Sequence, residues 1–263
     1  MGKLSNKNIV ITGASSGIGE KVALMIAEMG ARPILLARTI GKLEEISEEV
    51  NRKYAAGCIY FQLDVSDFEQ VKSVFQKILH ETGHIDILLN NAGFGIFESF
   101  YEANFEDIEK MFEVNVLGLM ACAKEVLPSM LERNSGHIIN VASQAGKLAT
   151  PKSSGYSATK HAVLGFTNSL RMELLKTNIS VSAVNPGPIE TNFFNTADKS
   201  GNYVKNVKKL MLKSDYVAEQ IIKLMISPKR ELNLPRWMNL GSVLYNLFPN
   251  IAEKLTGNMF DKK

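Results

Sequence analysis

Short β-branched runs alternate with longer amphipathic stretches from the start of the chain. Asn8 to Thr12 is followed by Gly17 to Met29, Pro33 to Ala37 by Gly41 to Tyr54, and Cys58 to Leu63 by Asp67 to Thr82. The alternation predicts an α/β fold, with parallel strands joined by helical crossovers. It continues through a strand at Asp86 to Asn90, helical segments from Phe105 to Arg133 and a strand at His137 to Ala142; a helix from about Gly155 to Lys176 and a strand at Ile179 to Val184 follow. In the first helix Ile18, Val22, Met25, Ile26 and Met29 recur at three- and four-residue steps, so one face packs on the sheet, and Gly30 can take the left-handed cap.

Two stretches depart from this rhythm. Thr191 to Ser214 is polar and lysine-rich (Lys199, Lys205, Lys208, Lys209, Lys213), which fits either a lid or a solvated helix-loop surface. The tail beyond residue 228 offers Leu232 and Leu234 as a short last strand stopped by Pro235. After it Trp237, Leu240, Leu244, Leu247, Phe248, Ile251 and Leu255 form an apolar stripe on a helix broken or restarted at Pro249. The stripe is expected to pack beside a substrate mouth or across a dimer. Membrane-surface association is the alternative, disfavoured because the polar face (Asn239, Ser242, Asn246, Asn250, Glu253) lacks lysines. The expected division is a catalytic unit over 1–228 and an amphipathic extension of the same domain over 229–263.

Composition narrows the function. The 263 residues carry 30 Lys+Arg against 27 Asp+Glu, which excludes a nucleic-acid binder driven by bulk charge. Cys58 and Cys122 form no CxxC pair and the four histidines show no ligand spacing, so neither a disulfide framework nor a metal site is expected. No secretion signal precedes the first strand and no apolar run reaches about 18 residues. A cytoplasmic location and no membrane-crossing helix are the expectations.

Chemistry concentrates at three places. The first strand ends in Thr12-Gly13-Ala14-Ser15-Ser16-Gly17-Ile18-Gly19 and the helix opens on the last glycines, where free N–H groups and a partial positive charge attract phosphate. Gly13 permits the tight turn, Gly17 lets backbone approach a pyrophosphate, and Gly19 lets the helix lie close to the sheet. The second strand ends in Ala37-Arg38-Thr39, with Lys42 one turn on. Where an NAD site usually carries a carboxylate for the ribose 2′-hydroxyl, Arg38 can clamp a 2′-phosphate, so NADP(H) is expected over NAD(H). Finally, Tyr156 and Lys160 are four apart on one helix and share a face. An ammonium beside a phenol favours the phenolate, which would make Tyr156 an acid–base group near neutral pH. Ser143, just past the fifth strand, falls at the carboxyl edge of the sheet, where ligands bind in such folds.

With these residues in hand, the chain resembles the short-chain dehydrogenase/reductase family from about residue 7 to 226. TGASSGIG at 12–19, Asp64-Val65, Asn90-Asn91-Ala92-Gly93, Asn115, Ser143, Tyr156, Lys160 and Pro186-Gly187 with Thr191 stand in the family's order. The resemblance implies a single doubly wound Rossmann-like sheet of about seven strands flanked by helices. It also implies a dinucleotide over the sheet's carboxyl edge and hydride transfer between it and a carbonyl or alcohol carbon. It assigns the loop residues Gly13, Ser15, Ser16, Gly17, Ile18 and Gly19, with Arg38, Thr39 and Lys42, to the cofactor. Asp64 and Val65 would meet the adenine, and Asn91, Ala92 and Gly93 its ribose. Asn115 would hold a helix open so that water links Lys160 to solvent. Ser143 would polarise the carbonyl, Tyr156 would give the proton, and Lys160 would bond the nicotinamide ribose. Pro186, Ile189 and Thr191 would frame the nicotinamide. The expected function is NADP(H)-dependent reduction of a hydrophobic ketone or aldehyde by a homodimer or homotetramer. The alternatives are a non-catalytic NADP-binding regulator and a membrane-surface lipid 3-oxoacyl reductase. One family feature is absent: no V-D-G-G-like signature ends the last strand.

Overall fold

In the computed structural model, which describes residues 2–198, 200–251 and 254, the predicted alternation builds one seven-stranded parallel sheet. Its strands are β1 (Asn8–Thr12), β2 (Arg32–Ala37), β3 (Ile59–Gln62), β4 (Ile87–Asn90), β5 (Gly136–Val141), β6 (Ile179–Pro186) and β9 (Glu231–Leu234), in the order β3-β2-β1-β4-β5-β6-β9. From β1 the chain steps outward to β2 and β3, then returns to lay β4 on the other side of β1. Between β1 and β4 the crossovers therefore part to opposite faces and leave a crevice at the carboxyl edge.

Each face of the sheet carries its own core, because alternate strand residues point to opposite sides. Ile9 and Ile11 pack with Val22 and Ile26 of α1 (Gly17–Glu28), Leu43 of α2 (Ile40–Tyr54) and Val217 and Ile221 of α9 (Ser214–Ile226). Val10, between them in sequence, packs on the opposite face with Phe75 of α3 (Phe68–Thr82), Val126 of α5 (Leu119–Glu132) and Leu170 of α6 (Ser154–Glu173). The α3 N-terminus is capped by the Asp67 side chain, which accepts from the Gln70 amide at 2.9 Å.

The helical segment from Phe105 is interrupted by a wider turn. Helix α4 (Phe105–Phe112) and α5 flank a π-helical turn, Glu113–Gly118. The run Phe105–Glu132 is long and apolar enough to cross a membrane by length and composition, which counting unbroken apolar runs does not reveal. Its inner residues, among them Met111, Leu119, Cys122 and Met130, are buried in this fold.

The lysine-rich stretch is an excursion pinned at its base. Two short strands, β7 (Ile189–Glu190) and β8 (Leu212–Lys213), pair in parallel and enclose α7 (Phe193–Ala197) and α8 (Asn202–Val207). Lys205, Lys208, Lys209 and Lys213 are exposed, and Lys199 lies outside the described residues. The last described helix element, α10 (Arg236–Leu247), lies against the body by two polar residues, with Met238 on the lining of the crevice at the carboxyl edge. Asn239 accepts from Lys147 at 3.2 Å, and Ser242 is buried and donates to the Asn239 carbonyl at 2.8 Å, while Asn246 is exposed. The apolar stripe faces out, with Trp237 60% and Leu240 65% exposed. Helical backbone resumes at Pro249 as expected; Glu253 and Leu255 lie outside the described residues.

Candidate active site

The ends of β1 and β4 are clipped together by Thr12. Its Oγ1 accepts from the amides of Asn91 and Ala92, both at 3.0 Å, while Asn91 Nδ2 donates to the Thr12 and Gly13 carbonyls at 3.0 and 3.1 Å. This clip leaves no room for side chains in the turn above it. A Cβ on Gly13 would fall 2.9 Å from Ala92 Cα, and Gly13 also holds φ +66°. A Cβ on Gly19 would meet the Gly13 carbonyl at 2.5 Å, so Gly19 seats α1 against the turn and does not itself face the cleft.

A cleft of about 470 Å³ runs along the carboxyl edge. It is lined by Gly13, Ser15, Ser16, Gly17 and Ile18, by Arg38 and Thr39 after β2, and by Asp64 and Val65 after β3. Asn91, Ala92 and Gly93 follow β4, and Ser143, Tyr156, Lys160, Pro186, Ile189 and Thr191 complete the predicted set. Besides Gly19, two predicted residues stand elsewhere. Lys42 is outside the lining, exposed on α2, where Glu45 one turn on draws its ammonium to 2.6 Å. Asn115 lies behind the wall. Placed by the π-helical turn, it accepts from the Phe94 amide at 2.9 Å and donates to the Phe94 carbonyl and Thr159 Oγ1 at 2.8 and 3.2 Å.

Ser143, Tyr156 and Lys160 converge at one point of the cleft. Ser143 Oγ accepts from the Ala145 amide at 3.0 Å and donates to the Pro186 carbonyl at 3.4 Å. The short helical turn after it, Gln144–Gly146, lies on α6 so closely that a Cβ on Gly146 would sit 2.7 Å from the Lys160 carbonyl. Lys160 Nζ donates to the Val141 carbonyl at 2.9 Å and stands 5.7 Å from the centre of the Tyr156 ring. Burial lowers the Lys160 pKa to about 8. Burial raises the Tyr156 phenol above its ordinary value, and the Ser143 hydrogen bond offsets this only in part. Below about pH 8 the site therefore pairs a protonated phenol with an ammonium.

The residues fit a dinucleotide: the glycine turn is open to an approaching pyrophosphate, and one continuous wall joins it to Arg38 at one side and Tyr156 at the other. Sequence reasoning missed the rings that close the cleft beyond Ser143, namely Phe97, Phe193, Phe194 and Tyr203, together with Met238 of α10. Among the described residues no cluster could hold a metal ion, and Cys58 and Cys122 are free and buried.

Fold and site define a dinucleotide-binding α/β protein with a serine–tyrosine–lysine group at the crevice. Residues 7–201 match the short chain dehydrogenase family, and the chain belongs to the short-chain dehydrogenase/reductases. A Schizosaccharomyces pombe NADP-dependent 3-hydroxy acid dehydrogenase is 38% identical over 217 residues, 80% of this chain and 84% of the relative. The human dehydrogenase/reductase SDR family member 11 is 37% identical over 229 residues, 83% of this chain and 88% of its own length. Among solved structures, a Burkholderia phymatum short chain dehydrogenase/reductase in complex with NAD superposes with a TM-score of 0.87 at 25% identity, covering 95% and 96% of the two chains. A Thermococcus sibiricus alcohol dehydrogenase complexed with 5-hydroxy-NADP gives 0.79 at 30%, covering 88% and 96%. The chain is an oxidoreductase of this family, with relatives that bind NAD or NADP.

Proposed function

We propose that the protein reduces the carbonyl of a hydrophobic ketone or aldehyde to an alcohol, with NADPH as reductant and Tyr156 as proton donor. The observation that carries this reading is the convergence of Ser143, Tyr156 and Lys160 on a cleft whose wall continues to the glycine turn and Arg38. When bound, the reduced nicotinamide supplies the hydride to the carbonyl carbon. Ser143 Oγ hydrogen-bonds the oxygen on which negative charge gathers, and the Tyr156 hydroxyl passes its proton to that oxygen. A phenol held neutral by burial suits the reductive direction, because the proton is in place when the oxygen needs it. Lys160, buried and cationic below about pH 8, favours the tyrosinate left behind. NADP is proposed over NAD because Arg38 lines the cleft where a carboxylate would repel a 2′-phosphate, and because the S. pombe relative is NADP-dependent.

The test is Tyr156→Phe assayed with NADPH and a panel of ketones and aldehydes. Turnover is expected to fall by roughly 10³-fold while the NADPH dissociation constant stays within about twofold. Retained turnover in the variant overturns the assignment, and tighter binding of NADH than NADPH by the wild type overturns the cofactor preference.

A further inference from the structure

Beyond Ser143 the cleft is closed by a mesh of aromatic rings. Phe97 meets Tyr156 edge-on at 5.6 Å and Tyr203 at 5.1 Å, Phe193 stands 5.7 Å from Tyr156, and Phe194 lies 5.5 Å from Tyr203. All of these side chains line the cleft.

Charge is distributed unevenly along the same wall. Among the described residues the lining cations are Arg38 and Lys160. Arg38 follows β2, two strands from β4, and Lys160 is buried with its ammonium directed to the Val141 carbonyl. Lys147 shares the loop of Ser143, but it is paired with Glu231 and bonded to Asn239 and does not reach the lining. The charge that bears on Tyr203 is negative. Burial and, to a lesser degree, Asp198 raise the Tyr203 phenol to about 12; Asp198 accepts from Ser200 Oγ at 2.8 Å and from the Val204 amide at 2.9 Å.

We infer that this end of the cleft selects an uncharged carbonyl compound with an aromatic or bulky apolar substituent and rejects carboxylate-bearing ones, with Phe97, Phe193 and Tyr203 as specificity residues. The inference rests on the carbonyl-reductase reading and adds the substrate class. A ring entering the mesh finds edges and faces to pack on. A carboxylate entering it loses water and gains no cation among the described residues of these walls. The ketone takes a hydride from NADPH and a proton from Tyr156, giving the alcohol, NADP+ and a tyrosinate that regains its proton from solvent.

The test compares methyl 4-acetylbenzoate with 4-acetylbenzoate, which share one ketone and differ in charge. With the wild-type enzyme and NADPH, kcat/KM for the ester is expected to exceed that for the acid by about 100-fold, the discrimination of one unpaired buried charge. Calorimetric titration of Tyr156→Phe loaded with NADPH reads binding without turnover, and there the ester is expected to bind about tenfold tighter or better. Equal or reversed preference in either measurement, or no ester binding at all, overturns the inference. A wild type that reduces neither ketone, combined with preferential ester binding by the variant, leaves the inference standing and removes the reductase reading beneath it. Leu148→Arg, which sets a guanidinium on the lining, is expected to raise kcat/KM for the acid about tenfold and lower it for the ester. A loss for the ester without any gain for the acid means the wall does not read charge, and the inference fails.

Discussion

At the nucleotide end of the cleft the wall is main chain, held by the Thr12 clip and by glycines into which no Cβ fits; at the substrate end it is side chain, with rings drawn from residues 97, 193, 194 and 203. The first surface is set by backbone geometry and tolerates almost no change. The second is a packing of side chains that stand apart from the main sheet's backbone hydrogen bonds. Recognition of the shared cofactor is thereby separated from choice of the variable substrate.

The sharpest way to break this contrast is Gly13→Ala. The left-handed backbone and the close approach to Ala92 are expected to remove about 2 to 4 kcal/mol of stability, read as a lower urea midpoint, and to abolish NADPH binding. Arg38→Ala should leave the fold alone but weaken NADPH by about 10- to 100-fold in fluorescence titration, with NADH changed less than about twofold. Phe193→Leu, at the other end, should raise KM for an aryl ketone about tenfold, shift stability by less than about 1.5 kcal/mol and leave NADPH affinity unchanged.

A smaller effect follows from pH. Lys160 has its folded pKa lowered to about 8 from an unfolded 10.5, so between those values the unfolded chain binds more protons and stability must rise with pH. Below about pH 8 both states are protonated and the cost of the buried ammonium is fully present. Without cofactor, the melting temperature of the wild type should therefore gain on that of Lys160→Met between about pH 8 and 10. The smallest change of all is expected for Lys42→Ala: its ammonium is committed to Glu45, so NADPH affinity should hold within about twofold.

The same division explains what the sequence disclosed. A strand followed by a glycine turn and a helix is a local pattern, and TGASSGIG carries its geometry within eight consecutive residues. The tyrosine and lysine are legible because one helix fixes their spacing. Nothing periodic marks which loop residues meet at the far end of the cleft, since Phe97, Phe193 and Tyr203 are brought together only by the tertiary fold. Spacing along the helix does not show that Lys42, one turn from Arg38, has a nearer partner on its own helix in Glu45. Helix α10 shows what periodicity alone leaves open. Apolar periodicity marks the stripe, but Lys147, joined to Glu231 of β9, takes Asn239 as a further partner and holds that side of the helix to the body, which leaves Trp237 and Leu240 exposed. The wider turn that sets Asn115 leaves no trace in the hydrophobic pattern.

The parallel pairing of Ile189 with Leu212 and of Glu190 with Lys213 brings the two ends of the 191–211 excursion together at a fixed spot on the sheet's rim. A segment anchored in that manner behaves like an exchangeable cassette. Transplanting the equivalent stretch from a relative, with the two-residue strands kept as the joint, should carry the donor's substrate preference across while the recipient's nucleotide affinity stays its own.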